Sequence, residues 1–185
     1  MKKTLMTLFL LCSQAYSQSL IKIEFFEGTA EGHLDIETTR SLISKNLMIP
    51  TKTFVGELKS GKYEYNETSN IEIASVLSKE LLVEQRKSIK IGDQLVIQLS
   101  QIHDDKGNIT KKLSGELSYS FSSIEGNKYS KKDQLSLPQF KETKDKNQFY
   151  ITRSSTAIVN WTSGLDDVSN LKSRSNFSFV LVTID

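Results

Sequence analysis

Residues 116–122, with the sequence ELSYSFS, alternate polar and apolar side chains with a period of two. In an extended chain, Leu117, Tyr119 and Phe121 point to one side and the polar residues point to the other. This pattern predicts a β-strand with one buried face and one solvated face. Because antiparallel sheets commonly leave one face in water, the segment favours an antiparallel sheet.

A second alternating segment lies upstream of the first. Leu95, Ile97 and Leu99 recur at every second position of residues 94–100. The stretch 104–108, DDKGN, then supplies residues that favour a tight turn. The two alternating segments are therefore expected to pair as a hairpin.

Six further segments are strand candidates. They span residues 20–26, 51–55, 62–66, 148–151, 157–161 and 177–184. The last three are rich in β-branched and aromatic residues, which are common in strands. Residues 177–184 are largely apolar on both faces, which predicts a strand that is central to its sheet or lies in an interface.

Two segments are helix candidates. Residues 35–47 place four apolar side chains near one face after Asp35, a residue type that caps helices. Residues 71–85 have a similar helical pattern, but Ile71, Ile73 and residues 81–83 fit a strand equally well. The predicted fold is mainly β, an antiparallel β-sandwich-like single domain with one or two short helices, and the alternative is an α+β fold.

The N-terminus has the features of a secretory signal peptide. Lys2 and Lys3 precede a short apolar run, and small residues at positions 15 and 17 favour cleavage before Gln18. The apolar run is too short for a membrane-crossing helix, which needs about 20 residues. We therefore predict a cleaved signal over residues 1–17 and a single β-rich domain over residues 18–185, with no transmembrane segment after cleavage.

Removal of the signal changes the charge and the thiol content. Of 24 Lys and Arg residues, two lie in residues 1–17, which leaves 22 against 22 Asp and Glu. The global positive charge expected of a nucleic-acid binder is therefore missing. Cys12 is the only cysteine, so the mature chain forms no disulfide. Lipidation of Cys12 is an alternative processing route, although Leu11 before it is larger than the residue normally found there.

No catalytic motif stands out. The chain contains no Gly-x-Ser-x-Gly elbow, no phosphate-binding loop and no His-Glu-x-x-His helix. His33 lies between Glu31 and Asp35, an arrangement that can hold a metal ion on a strand, but the flanking glycines favour a loop. His103 precedes two aspartates at the expected turn. We predict no catalytic residue, no metal ligand and no cofactor.

Three features are candidates for binding a protein partner. The apolar terminal strand, with Phe177, Phe179 and Leu181, can add to the edge of a neighbouring sheet. Residues 125–147 are rich in lysine, including Lys131 and Lys132, and form either a solvated loop or edge, or a surface for an acidic partner. Trp161 is either a core aromatic or an exposed stacking platform.

The charge is also distributed unevenly along the chain. Residues 20–84 contain 11 acidic and 7 basic residues, whereas lysines outnumber acids in residues 125–147. Such complementary segments can steer subunits together.

These features indicate an exported, non-catalytic binding or assembly protein of a bacterial cell envelope, such as a component of a pilus, adhesin or secretion apparatus. Its partners are expected to be envelope proteins, including further copies of itself, in the periplasm, on the outer-membrane surface or outside the cell. The alternative is a secreted enzyme or effector that acts on an envelope polymer, with His33 or His103 in its site.

Overall fold

Alternating apolar side chains place most of the chain in β-strands. The computed structural model describes residues 19–31, 34–76, 84–130, 135–165 and 174–185. Within them, one helix, α1 (Ile36–Ser44), accompanies eight strands: β1 (Leu20–Glu31), β2 (Lys52–Glu57), β3 (Lys62–Val76), β4 (Glu84–His103), β5 (Ile109–Ser130), β6 (Leu135–Thr152), β7 (Ser155–Leu165) and β8 (Arg174–Ile184). Each of the eight strand candidates from the sequence falls in one of these strands, except that Thr51 precedes β2.

The strands form two four-stranded antiparallel sheets. Sheet A has the order β2-β1-β8-β7, and sheet B has the order β3-β4-β5-β6. The predicted hairpin is present, since Leu95 of β4 lies opposite Tyr119 of β5 and Ile97 lies opposite Leu117. The prediction of a mainly β, antiparallel sandwich-like fold is confirmed.

The main core lies between the two sheets. Leu117 and Tyr119 of β5 pack with β1 of sheet A, where Phe25 meets Tyr119 edge-on at 4.8 Å between ring centroids. The buried members of this cluster are Ile21, Ile23, Phe25, Phe54, Leu95, Ile97, Leu99, Leu113, Leu117, Tyr119, Phe149, Ile151, Val159, Val180, Val182 and Ile184. The period of two in each strand thus places its apolar side chains in one shared layer.

Helix α1 covers the other face of sheet A. Asp35 caps it, since its Oδ1 accepts the Thr38 backbone N–H at 2.7 Å. The helix ends before Asn46, which has a positive φ of 55°. Beneath it lies a second cluster that is built on Phe26, Phe179 and Leu181. The helix predicted for residues 35–47 is therefore confirmed over its central nine residues.

The helix predicted for residues 71–85 is wrong for the part of that span that the structure describes. Residues 71–76 end β3 and residues 84–85 begin β4, while residues 77–83 lie outside the described chain. Ile71 pairs with Ile89 across the ladder, so pairing with β4 outweighs the local helical pattern. The alternative prediction, in which Ile71 and Ile73 belong to a strand, is confirmed.

The lysine-rich stretch 125–147 is also structured differently from the loop that we considered. Residues 125–130 belong to β5 and residues 135–147 belong to β6, an edge strand of sheet B. The edge interpretation is therefore correct for β6, and the loop interpretation is wrong for the described residues. Lysines on edge strands commonly discourage uncontrolled pairing.

Replacing Leu117 by alanine is expected to destabilise the protein by about 2–5 kcal/mol, because this fully buried side chain would leave a cavity between the sheets. Leu47→Ala is the matched control, since Leu47 is 65% exposed and its loss is expected to change stability by less than about 0.5 kcal/mol. Urea unfolding of both variants measures the difference. Equal destabilisation would contradict the placement of Leu117 in the shared core.

Candidate functional site

The apolar terminal strand lies inside sheet A. β8 pairs with β1 on one side and β7 on the other, so both of its edges are used within the chain. Phe179 and Leu181 are buried in the second cluster, and Phe177 packs against it. Packing within the chain thus accounts for the apolar character of all three. Their binding to a partner stays a prediction, and strand addition would require β8 to leave its own sheet.

Trp161 owes its position to a bulge in β7. Asn160 and Trp161 together lie opposite Phe179 alone, because the register shifts between Val159 and Thr162. Asn160 has a positive φ of 51°, which is uncommon for a residue with a side chain. The half-buried Trp161 ring packs with the second cluster, and its Nε1 donates to Thr39 Oγ1 of α1 at 3.3 Å.

The same bulge sends Asn160 to the opposite side of sheet A. Its Nδ2 donates to Asp145 Oδ2 of β6 at 2.6 Å, so the side chain links sheet A to sheet B. Tyr119 also hydrogen-bonds Asn160, and burial is the main cause that raises the pKa of its phenol. The bulge therefore anchors α1 on one face and the second sheet on the other.

The structure describes one of the two histidine candidates, His103. His33, like Lys131 and Lys132, lies outside the described residues. His103 is exposed, and the neighbouring Asp104 carboxylate accepts hydrogen bonds from the Asn108 side chain at 3.1 Å and the Asn108 backbone N–H at 2.8 Å. These bonds lower the pKa of Asp104 and close the β4–β5 turn.

In the described parts of the chain, no three His, Cys, Asp or Glu side chains gather closely enough to hold a metal ion. The described portion likewise has no helix with the length and apolar character needed to cross a membrane.

A cleft opens where the two sheets separate. It has a volume of about 360 Å³, and aromatic side chains of β1 and β5 form its floor, namely Phe25, Tyr119 and Phe121. Lys52 of β2 and Asp93 of β4 form an ion pair across its mouth, and Lys52 Nζ lies 4.4 Å from the Phe121 ring centroid. This pair is a direct ionic link between sheet A and sheet B, and it marks the end of the apolar core.

Beyond this ion pair, sheet B divides into two ribbons. In the described chain, the last ladder pair between β4 and β5 at this end is Gly92 with Ser122. The β3–β4 ribbon consists of residues 69–76 and 84–91, and the β5–β6 ribbon consists of residues 123–130 and 135–141. None of the side chains described in either ribbon is buried.

Gly92 permits the division. Its φ of 121° is a conformation that other residues rarely adopt, and a Cβ at this position would lie 2.1 Å from the Glu67 carbonyl oxygen. Ser122 lies opposite Gly92, and its hydroxyl donates to the carbonyls of Lys90 or Gly92 at 3.3–3.4 Å. The two strands therefore separate at a defined point.

Sequence reasoning missed the ribbons because it ended the candidate strands too early. The signal was present in the alternation of Ile89 and Ile91 with Ser88 and Lys90, which continues the pattern of β4 upstream. The division itself has no comparable local signal, since it depends on which strands lie side by side.

Comparisons with known proteins give only distant similarity. No family model matches the chain, and no curated protein matches it. Among solved structures, the Salmonella SPI-1 type III secretion injectisome secretin InvG is similar with a TM-score of 0.41 and 8% identity, over 90% of this chain and 61% of that chain.

Two other secretins are similar at the same level. The type II secretion system secretin GspD of E. coli K12 gives a TM-score of 0.36 and 10% identity, over 90% of this chain and 46% of that chain. The type IV competence pilus secretin PilQ of V. cholerae gives a TM-score of 0.38 and 9% identity, over 91% of this chain and 57% of that chain. This chain spans less than two thirds of the length of each of these three secretins. TM-scores below 0.5 carry no functional argument, and the function proposed below rests on this chain's own residues.

Gly92→Ala is expected to destabilise the protein by more than 1 kcal/mol, because the new Cβ meets a backbone oxygen in a strained conformation. Gly107→Ala is the control, since Gly107 also has a positive φ but has no atom within 4 Å of the added Cβ. Thermal unfolding measures both variants. A loss at Gly107 as large as that at Gly92 would show that backbone strain alone, without the close approach of β3, is responsible.

The Asp104 carboxyl is expected to titrate below its ordinary pKa of 3.8, because Asn108 hydrogen-bonds the charged form. The stabilisation of the turn is then fully present above the ordinary pKa and is lost as the pH falls through the lowered value. NMR titration measures the pKa, and Asn108→Ala should return it towards 3.8. An unchanged pKa in Asn108→Ala would refute this cause.

Proposed function

We propose that this chain is an exported, non-catalytic protein that assembles with other proteins of a bacterial cell envelope, as a component of a pilus, adhesin or secretion apparatus. The observation that carries the proposal is the division of sheet B into two ribbons beyond Gly92 and Ser122. Each ribbon consists of two strands that extend past the ion pair at the end of the shared core.

Two-stranded ribbons need a partner surface. An isolated two-stranded hairpin is marginally stable in water, and three or more strands with an apolar face are needed for independent stability. In the described residues, β4 before Gly92 pairs with β3 alone, and β5 after Ser122 pairs with β6 alone. Both ribbons therefore present unpaired backbone edges, which another protein strand can extend.

The β5–β6 ribbon also exposes an apolar pair. Ile124 and Phe140 lie opposite each other and are 43% and 36% exposed. Covering apolar side chains removes their surface from water, which is favourable. This pair supports protein binding more than it supports catalysis, because it offers contact area and no titratable group.

Export is supported by the predicted signal over residues 1–17. A mature chain without cysteine would depend on its apolar core for stability, and a chain of about 170 residues can bury enough surface to do so. The extensive cluster between the two sheets is consistent with this requirement.

The alternative, a secreted enzyme or effector, has less support. His33 is outside the described residues, and the Asp104 carboxylate beside His103 is already hydrogen-bonded within its turn. A hydrolase that used these histidines would lose its activity when both are replaced by alanine.

A photo-cross-linking residue at Ser69 or Ser123, both exposed on the ribbons, is expected to capture a defined envelope protein or another copy of the chain in the native host. Lys111 is the control, because it is exposed on β5 near the opposite end of the same sheet. Mass spectrometry identifies each adduct.

The ribbon positions should give one reproducible partner that the control position does not give. A folded, exported protein that forms no adduct from either ribbon, or that forms the same adducts from all three positions, would overturn the proposed function.

A further inference from the structure

Both outer strands of sheet B have one unpaired edge. β3 pairs with β4 alone and β6 pairs with β5 alone among the described strands. The unpaired N–H and C=O groups of such an edge are a template for another strand. β6 is 18 residues long and β3 is 15, so each offers a long row of these groups.

The strand directions allow identical copies to join side by side. Neighbouring strands of sheet B are antiparallel and there are four of them, so β3 and β6 run in opposite directions. A second copy in the same orientation would therefore place its β3 antiparallel to β6 of the first. An odd number of strands would have produced a parallel contact instead.

Sheet A also has two outer strands with opposite directions, and they lie on the same two sides of the sandwich as those of sheet B. Its outer strands, β2 and β7, also run in opposite directions. β2 leads into β3 through a tight turn in which Lys59 and Lys62 exchange backbone hydrogen bonds, and β6 leads into β7 through residues 153–154. One side of the sandwich thus carries the edges of β2 and β3, and the other carries the edges of β6 and β7.

The two edges of sheet B have opposite charge. β3 contains one lysine and three glutamates, a net charge of −2, whereas β6 contains three lysines, one glutamate and one aspartate, a net charge of +1. Pairing β3 with β3 or β6 with β6 would bring like charges together, which is unfavourable in a cross-strand pair. The charges favour a contact between unlike edges.

The register identifies a specific pair of residues. One row across sheet B runs from Glu64 of β3 through Val96 and Ser118 to Lys146 of β6. If the row continues into the next copy, Lys146 lies opposite Glu64 of that copy. Within one copy, both residues form exposed ion pairs, Lys146 with Glu116 and Glu64 with Lys62. Because exposed ion pairs contribute little stability, replacing them by a pair between copies costs little.

We infer that the two outer edges of sheet B bind further copies of the chain, joined head to tail with β6 of one copy paired to β3 of the next. This inference rests on the proposed function. Sheet B then continues from copy to copy. Because the two contacting surfaces differ, the assembly is a ring where the rotation between copies closes and a filament where it does not.

Cysteine cross-linking tests this arrangement. Directly opposite residues in an antiparallel sheet have Cα atoms about 4.5–5.5 Å apart, within the range that a disulfide spans. With the signal removed and no native cysteine in residues 18–185, Glu64→Cys and Lys146→Cys can be placed singly in otherwise cysteine-free chains. Each substitution is at an exposed position, so the fold should be retained.

The expected result is a disulfide-linked dimer when the Glu64→Cys and Lys146→Cys chains are mixed and oxidised, and a ladder of multimers from the double variant. Neither single variant should form such a dimer alone. Lys111→Cys, mixed with Glu64→Cys, is the control and should stay monomeric. A homodimer from Lys146→Cys alone, or no cross-link in the mixture, would overturn the head-to-tail contact and would indicate that the edge charges serve to prevent pairing.

A charge reversal provides the second measurement. Lys146→Glu should weaken association by about tenfold, because its cross-strand attraction to Glu64 of the next copy becomes a repulsion. Adding Glu64→Lys to the partner chain should restore part of the loss in a mixed sample, as measured by light scattering. Unchanged association after the reversal would contradict the inference.

The two proposals fail in different ways. Ribbon positions that capture another envelope protein, together with no disulfide between Glu64→Cys and Lys146→Cys, would remove self-assembly and leave the proposed function. Absence of any ribbon adduct would remove the proposed function itself.

Discussion

Phe25 of β1 stands at the point where the two sheets meet. Its ring lies edge-on to Phe54 of its own sheet and to Tyr119 and Phe121 of the other, with centroids 4.8–5.9 Å apart. Aromatic contacts of this geometry add to the free energy of burying the rings. Every longer-range feature of the molecule depends on this layer, because it fixes the distance and the register between sheet A and sheet B.

The end of the layer explains the division of sheet B. Opposite Phe121, the inward position on β4 is Asp93, whose carboxylate pairs with Lys52 in place of an apolar contact. A sheet that no longer buries a face gains little from staying four strands wide. The β4–β5 ladder ends there, at Gly92 and Ser122, and the two ribbons continue beyond the shared core.

The bulge in β7 serves the core and the helix together. By giving two residues to one position of β8, it directs Trp161 towards α1 and Asn160 towards Asp145. A regular strand would have placed one of them on the wrong face. A local irregularity thus connects three layers, namely the helix, sheet A and sheet B.

The sequence alone predicted a segment of each of the eight strands, because alternation with a period of two is a local property of residues such as Leu117, Tyr119 and Phe121. It also predicted the β4–β5 hairpin and the cap at Asp35. It did not distinguish helix from strand at residues 71–76, nor locate the ribbons, the cleft or the bulge. Those features depend on pairs that are distant along the chain, such as Ile21 with Ile184 or Lys52 with Asp93. Only the tertiary structure brings such pairs together, and it alone therefore decided where the shared core ends and where sheet B divides into two ribbons.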